Sequence, residues 1–197
     1  MPGSGRSVEI LDENYACVCT DLSGLHIVKI TDPSKPVIIG SCEIPGFTHG
    51  LLVKGSYAYV TRSDIGKLVV VDISQREAPK VVSELKTPGL AYGLAIKGKY
   101  AYVAGGERGV QVIDLSQPAA PVIVSAYDTP GFAYDAAIKD DDLYIADETN
   151  GVIKLNIANP VSPRYSGSFN TAGEAVQLTV VGDYLYVSDT YSLMILK

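Results

Sequence analysis

Catalysis needs a nucleophile beside a base, a pair of tuned carboxylates or a cage of metal ligands, and this sequence holds few groups that fit any of these. Its two histidines, His26 and His49, have no third histidine to complete a metal site. Asp147-Glu148-Thr149-Asn150-Gly151 is rich in oxygen ligands but too short, and wrongly spaced, for a calcium loop. Gly105-Gly106-Glu107-Arg108-Gly109 is glycine-rich, yet it opens a strand, so no helix N-terminus is at hand to bind phosphate. Serines and threonines are scattered, with no nucleophile elbow. Cys17, Cys19 and Cys42 fit no metal template, and their odd number leaves at least one thiol unpaired. Small buried hydrophobes is the role that suits them. We therefore expect no catalytic residue, no metal and no cofactor.

Charge narrows the partners. The formal net charge is −6, with no Lys/Arg cluster, so neither nucleic acid nor anionic lipid is an expected partner. No segment approaches the ~18 uninterrupted apolar residues of a spanning helix, so membrane insertion is not expected. Residues 1–7 lack the apolar core of a signal peptide and read as a leader or linker.

The elements that must position any site come from an internal repeat. The glycines of Ile44-Pro45-Gly46, Thr87-Pro88-Gly89, Thr129-Pro130-Gly131 and Thr171-Ala172-Gly173 are spaced 43, 42 and 42 residues apart. Pro36, Pro79, Pro121 and Pro163 keep the same spacing, and so does the series Cys17, Tyr59, Tyr102, Tyr144 and Tyr186 to within one residue. Within a unit, four β-branched or alternating runs are bounded by turn chemistry: Tyr92–Ile96, Tyr100–Ala104, Val110–Leu115 and Val122–Tyr127, strands A to D of the third unit. No sustained helical period occurs. Four antiparallel strands in about 42 residues make one propeller blade, which needs neighbours to bury its faces. The fold class is all-β, a β-propeller of about five blades; a four-stranded solenoid or a sandwich is the competing arrangement. Blades are expected at approximately 8–43, 47–86, 90–128, 132–170 and 174–197.

The strand C runs Leu68-Val69-Val70-Val71-Asp72-Ile73-Ser74 and Val110-Gln111-Val112-Ile113-Asp114-Leu115-Ser116 resemble the LVIVD repeat. The Pro-containing turn, the TPG-aromatic turn and the Tyr-Ala-Tyr-Val-Ala strand at 100–104 extend the resemblance over residues 8 to 197, weaker in the first and fourth units. It implies a propeller from a bacterial or archaeal surface or secreted protein, hence an extracellular or cell-surface location and a scaffold or binding role. It supplies no catalytic motif.

Strand counting gives four complete units and a fifth lacking its outer strand, 19 strands in all. The open edge at Leu193–Leu196 belongs either to a fragment of a longer repeat array or to a chain that another molecule completes, and in both cases it should favour self-association. Antiparallel connectivity puts the D–A and B–C loops at one end of every blade. That end gathers His49, Tyr92, Tyr134 and Asp135 from D–A loops, with Arg62, Asp64, Glu107, Arg108, Asp147, Glu148 and Asp189 from B–C loops. Loops on a rigid scaffold commonly carry function, so this face is the candidate ligand-binding site. Packing explains the repeated Tyr59, Tyr102, Tyr144 and Tyr186, and explains Tyr92 and Tyr134 better than channel lining does; turn capping explains Asp72, Asp114 and Asn156 better than chemistry does. Two functions follow: a non-catalytic binding or interaction scaffold for a protein or glycan, or a propeller hydrolase or lyase with a metal at the axial channel mouth.

Overall fold

The computed structural model describes residues 3–197, which contain strands and turns and no helix. Four sheets have four strands each. They are β1 (Gly5–Asp12), β2 (Tyr15–Thr20), β3 (Gly24–Lys29) and β4 (Val37–Cys42); β5 (Thr48–Lys54), β6 (Tyr57–Arg62), β7 (Lys67–Asp72) and β8 (Lys80–Lys86); β9 (Leu94–Lys97), β10 (Tyr100–Ala104), β11 (Val110–Asp114) and β12 (Val122–Tyr127); and β13 (Asp135–Lys139), β14 (Asp142–Ala146), β15 (Val152–Asn156) and β16 (Arg164–Phe169). A fifth sheet has three: β17 (Ala175–Val181), β18 (Tyr184–Asp189) and β19 (Leu193–Leu196). Every pairing is antiparallel and sequential, and the sheets form a five-bladed propeller whose last blade lacks its outer strand.

Proline sets the outer strands. β4, β8, β12 and β16 each begin at the residue after Pro36, Pro79, Pro121 or Pro163, because proline has no amide hydrogen to give a ladder. Each of these strands also shifts register against its neighbour at one repeat position, Ile27/Val28, Val70/Val71, Val112/Ile113 and Lys154/Leu155. An extra residue there steepens the local twist of each blade's outer half. The turns ahead of the prolines are capped as expected: the amides of Ser74, Ser116 and Ala158 donate to Asp72, Asp114 and Asn156.

Because side chains alternate across a strand, each blade has two faces, and the core consists of four clusters between successive blades. Tyr59 and Tyr102 are buried in two of them, packing residues as their repetition suggests. Cys17, Cys19 and Cys42 are all buried between the first two blades, where burial lifts the Cys17 thiol to about 12 and the Cys19 thiol well above its ordinary value.

Two strand starts differ from the sequence reading by more than one residue. Strand β1 starts at Gly5, inside the stretch read as a leader, because Ser4 N–H donates to Asp21 at 2.9 Å and Arg6 pairs with the same carboxylate at 3.6 Å. Conversely β9 starts at Leu94, two residues later than expected. Tyr92 N–H and the Gly93 carbonyl still bond to Ala104 of β10, each at 2.9 Å, but Gly93 N–H turns to the carbonyl of Tyr134 in the next blade, at 2.9 Å.

Candidate functional site

The first strands of all five blades, β1, β5, β9, β13 and β17, surround an axial cavity of about 740 Å³. Arg6, Glu9, His49, Asp135, Gln177 and Thr179 contribute its polar lining. Arg6, Glu9, Gln177 and Thr179 were not singled out from the sequence. Their signal is their place on an innermost strand, legible once the blade boundaries are known.

At one end of the cavity the D–A segments of three blades bring four rings together. His49 meets Tyr92 edge-on, with centroids 5.2 Å apart. Tyr92 meets Phe132 at 5.4 Å and Tyr134 at 5.2 Å, and Phe132 lies 4.6 Å from Tyr134. All four side chains are partly exposed. These tilted and edge-on contacts are favourable ring arrangements, and those made by Tyr92 join residues 40 to 43 positions apart in sequence. Phe132 was visible in its loop but was not set among the candidate residues; its place beside the TPG turn is the signal.

Backbone contacts fix the rings. Gly106 and Ala133 exchange amide hydrogen bonds at 3.1 Å, and Glu148 and Ala175 exchange another pair at 3.3 and 3.0 Å. The D–A segments before β13 and β17 are thereby strapped to the B–C loop of the preceding blade. Thr61 Oγ1 accepts from the Gly50 amide at 2.7 Å and donates to the Tyr92 carbonyl. Gly50 permits that approach, since a β-carbon there would fall 2.6 Å from a Leu94 methyl and 2.8 Å from the Tyr92 oxygen.

Electrostatics differ between the cavity and its rim. Asp135 accepts from the amides of Ala136 and Leu178, each at 2.9 Å, yet burial wins and lifts its carboxyl to about 6. Burial also pushes His49 down, so its imidazole is neutral at pH 7. Burial raises the Tyr134 hydroxyl, and the neighbouring Glu148 and Glu174 carboxylates raise it further. Among the described residues, no three His, Cys, Asp or Glu side chains come together to hold a metal ion.

Of the residues read from the sequence, His49, Tyr92, Tyr134 and Asp135 gather at the cavity and its mouth. Several of the others brace the loops. Asp147, fully buried, accepts from the Gly131 amide at 2.8 Å, and Asp189 accepts from the Gly173 amide at 3.0 Å, the same contact one repeat later. Asp189 also accepts from the amides of Tyr191 and Ser192. Arg62, buried against the turn glycine Gly46, pairs with Asp64 at 2.7 Å. The stem of Arg108 packs on Gly89, while Glu107 is exposed at the loop tip and Glu148 stands partly exposed near Tyr134. Thus in each of these blades the B–C loop seats the glycine of the preceding turn, and the candidate residues divide into an aromatic mouth and its supports.

The family model described as the LVIVD repeat matches this chain five times, at residues 2–44, 45–87, 88–129, 130–171 and 172–196. No curated protein matches it. Among solved structures, the computationally designed Ika8 protein is 9% identical with a TM-score of 0.76, covering 98% of this chain and 57% of its own. A functionally unknown protein from Desulfotomaculum acetoxidans DSM 771 is 13% identical with a TM-score of 0.78, covering 99% of this chain and 66% of its own. The periplasmic gluconolactonase PpgL of Pseudomonas aeruginosa is 14% identical with a TM-score of 0.76, covering 90% of this chain and 62% of its own. At such identities the likeness is one of fold, and the chain spans 57–66% of the length of these structures.

Proposed function

The chain belongs to the LVIVD-repeat family, and from that premise we propose that it is a non-catalytic binding scaffold, a module of a surface or secreted protein. The observation that carries this reading is the ring quartet His49–Tyr92–Phe132–Tyr134, built from three blades over the axial cavity. Rings with low conformational entropy, held by a braced backbone, give contact area at little ordering cost. The Glu148 and Glu174 carboxylates beside Tyr134 supply acceptors for hydroxyl or amide donors of a glycan or a protein segment. Screening the purified protein on glycan and peptide arrays tests the proposal. A binder lost in the Tyr92→Ala/Tyr134→Ala double variant supports it, and a binder indifferent to both substitutions contradicts it.

A second reading, a hydrolase or lyase acting in the channel, is favoured by one observation. Asp135, lifted by burial to about 6, and His49 line the same cavity from separate blades, so two groups suited to proton transfer face one space. One protein of the same fold is named a gluconolactonase. A metal assay on the purified protein and a lactone-hydrolysis assay, repeated with His49→Ala and Asp135→Asn, separate the two readings.

A further inference from the structure

We propose that the outward face of the fifth blade binds the outward face of the first blade of a second copy of this chain, head to tail, through the contact that this chain already makes four times within itself. The repeat supplies the comparison. Leu193 pairs across its sheet with Ser188 as Leu25 pairs with Cys19, Leu68 with Thr61, Val110 with Ala104 and Val152 with Ala146. Leu25, Leu68, Val110 and Val152 are 0% exposed, each covered by the next blade, whereas Leu193 is 63% exposed. Ile195 is 54% exposed, where three of its four counterparts, Ile27, Val70 and Val112, are 0% exposed and the fourth, Lys154, is charged and partly exposed.

The first blade shows the complementary half. Val8 pairs with Val18 as Leu51 pairs with Val60, Leu94 with Val103, Ala136 with Ile145 and Leu178 with Val187. Leu51, Leu94, Ala136 and Leu178 are 3–7% exposed against the preceding blade, and Val8 is 60% exposed, with Ile10 beside it at 65%. Four clusters join five blades, and among the described residues no cluster joins the fifth to the first. Two apolar faces of matched pattern are therefore exposed among the described residues.

The occupant follows from the pattern. Each internal contact sets a β19-type face against a β1-type face of the following blade, so the bare pair is self-complementary between copies but not within either face alone. Such a contact is heterologous and either closes a ring or continues. Exposed apolar faces of this kind mark interaction surfaces. The face, rather than the unpaired backbone edge of Leu193–Leu196, carries the contact: Met194 and Leu196 on the same strand already pack against the fourth blade.

Sedimentation velocity on the purified chain, with the Leu193→Asp and Val8→Asp variants, is the test. The wild type should show a mean mass that rises with concentration. Each variant alone should stay monomeric, since each spoils one partner of every contact. Mixed, they should form a one-to-one heterodimer and nothing larger, because each retains the half the other lacks. Circular dichroism and melting curves check that each variant is folded; Ile195→Lys replaces Leu193→Asp if that one is not. A wild type monomeric at every concentration, variants that associate like the wild type, or a mixture that stays monomeric would each overturn the proposal.

Discussion

Asp135, at the start of β13, accepts the amide hydrogen of Leu178 in β17 at 2.9 Å, so a carboxylate of the fourth blade holds the innermost strand of the fifth. The same side chain is pressed against Gly93 of the third blade, where a β-carbon would fall 1.9 Å from its Oδ1. One residue thus ties three blades together directly beneath the aromatic mouth.

That tie is pH-dependent. Burial raises the folded carboxyl from 3.8 to about 6, so the stability it contributes is complete below its unfolded pKa and is lost as pH rises through 6. A shift of this size amounts to at most about 3 kcal/mol. Asp114, held down to about 2 by Lys99 and Ser116, acts in the opposite sense: its contribution is present above 3.8 and is lost in strong acid. Between about pH 4 and 7 Asp135 lowers the melting temperature as pH rises while His26 and His49, both pushed down by burial, raise it, so Asp135→Asn should make the slope of melting temperature against pH more positive than in the wild type. An unchanged slope in the variant would contradict the assignment.

Gly93→Ala should destabilise the fold by about 1–3 kcal/mol through overpacking against Asp135. Gly167→Ala in β16 has nothing within 4 Å of the new β-carbon and should stay within about 0.5 kcal/mol of wild type. Chemical denaturation of the two variants makes the comparison. Equal effects would mean that the close approach at Gly93 is not real.

The three thiols should be silent in the folded protein. With Cys17 and Cys19 fully buried and both protonated at neutral pH, an aromatic disulfide reagent should find no fast-reacting thiol, and all three should react after unfolding. Rapid labelling under native conditions would place the cysteines outside the first blade interface.

The two classes of candidate residue should separate in mutants. Tyr92→Ala should weaken ligand binding about tenfold, equivalent to ~1.4 kcal/mol. Asp189→Ala should instead lower the melting temperature by removing the acceptor of the Gly173, Tyr191 and Ser192 amides, with affinity unchanged. Isothermal titration and thermal melts on both variants decide the matter, and a reversal of the two effects would exchange the roles assigned here.

Blade number, strand order and the turn caps were legible because they depend on local chemistry that recurs: a proline before each outer strand, a carboxylate or amide before each turn. The loop end of the propeller followed from connectivity alone. What was not legible was which loop residues point at a ligand and which hold the chain. Asp147 and Asp135 are both aspartates near loops, yet one is fully buried beneath a turn glycine and the other lines the cavity. That difference comes from contacts between blades, and a repeat period does not encode them. Strand β1 was likewise read too short, because Arg6 and Ser4 gain their order from Asp21, an interaction across a hairpin rather than a local preference.

The most direct measurement is a titration of an array-selected ligand followed by NMR of the ring protons. The account predicts shifts at His49, Tyr92, Phe132 and Tyr134, with the exposed Tyr165 on the outer strand β16 undisturbed. Shifts that leave the quartet untouched and appear instead around Lys54, Lys97 and Lys99, at the other end of the blades, would contradict it.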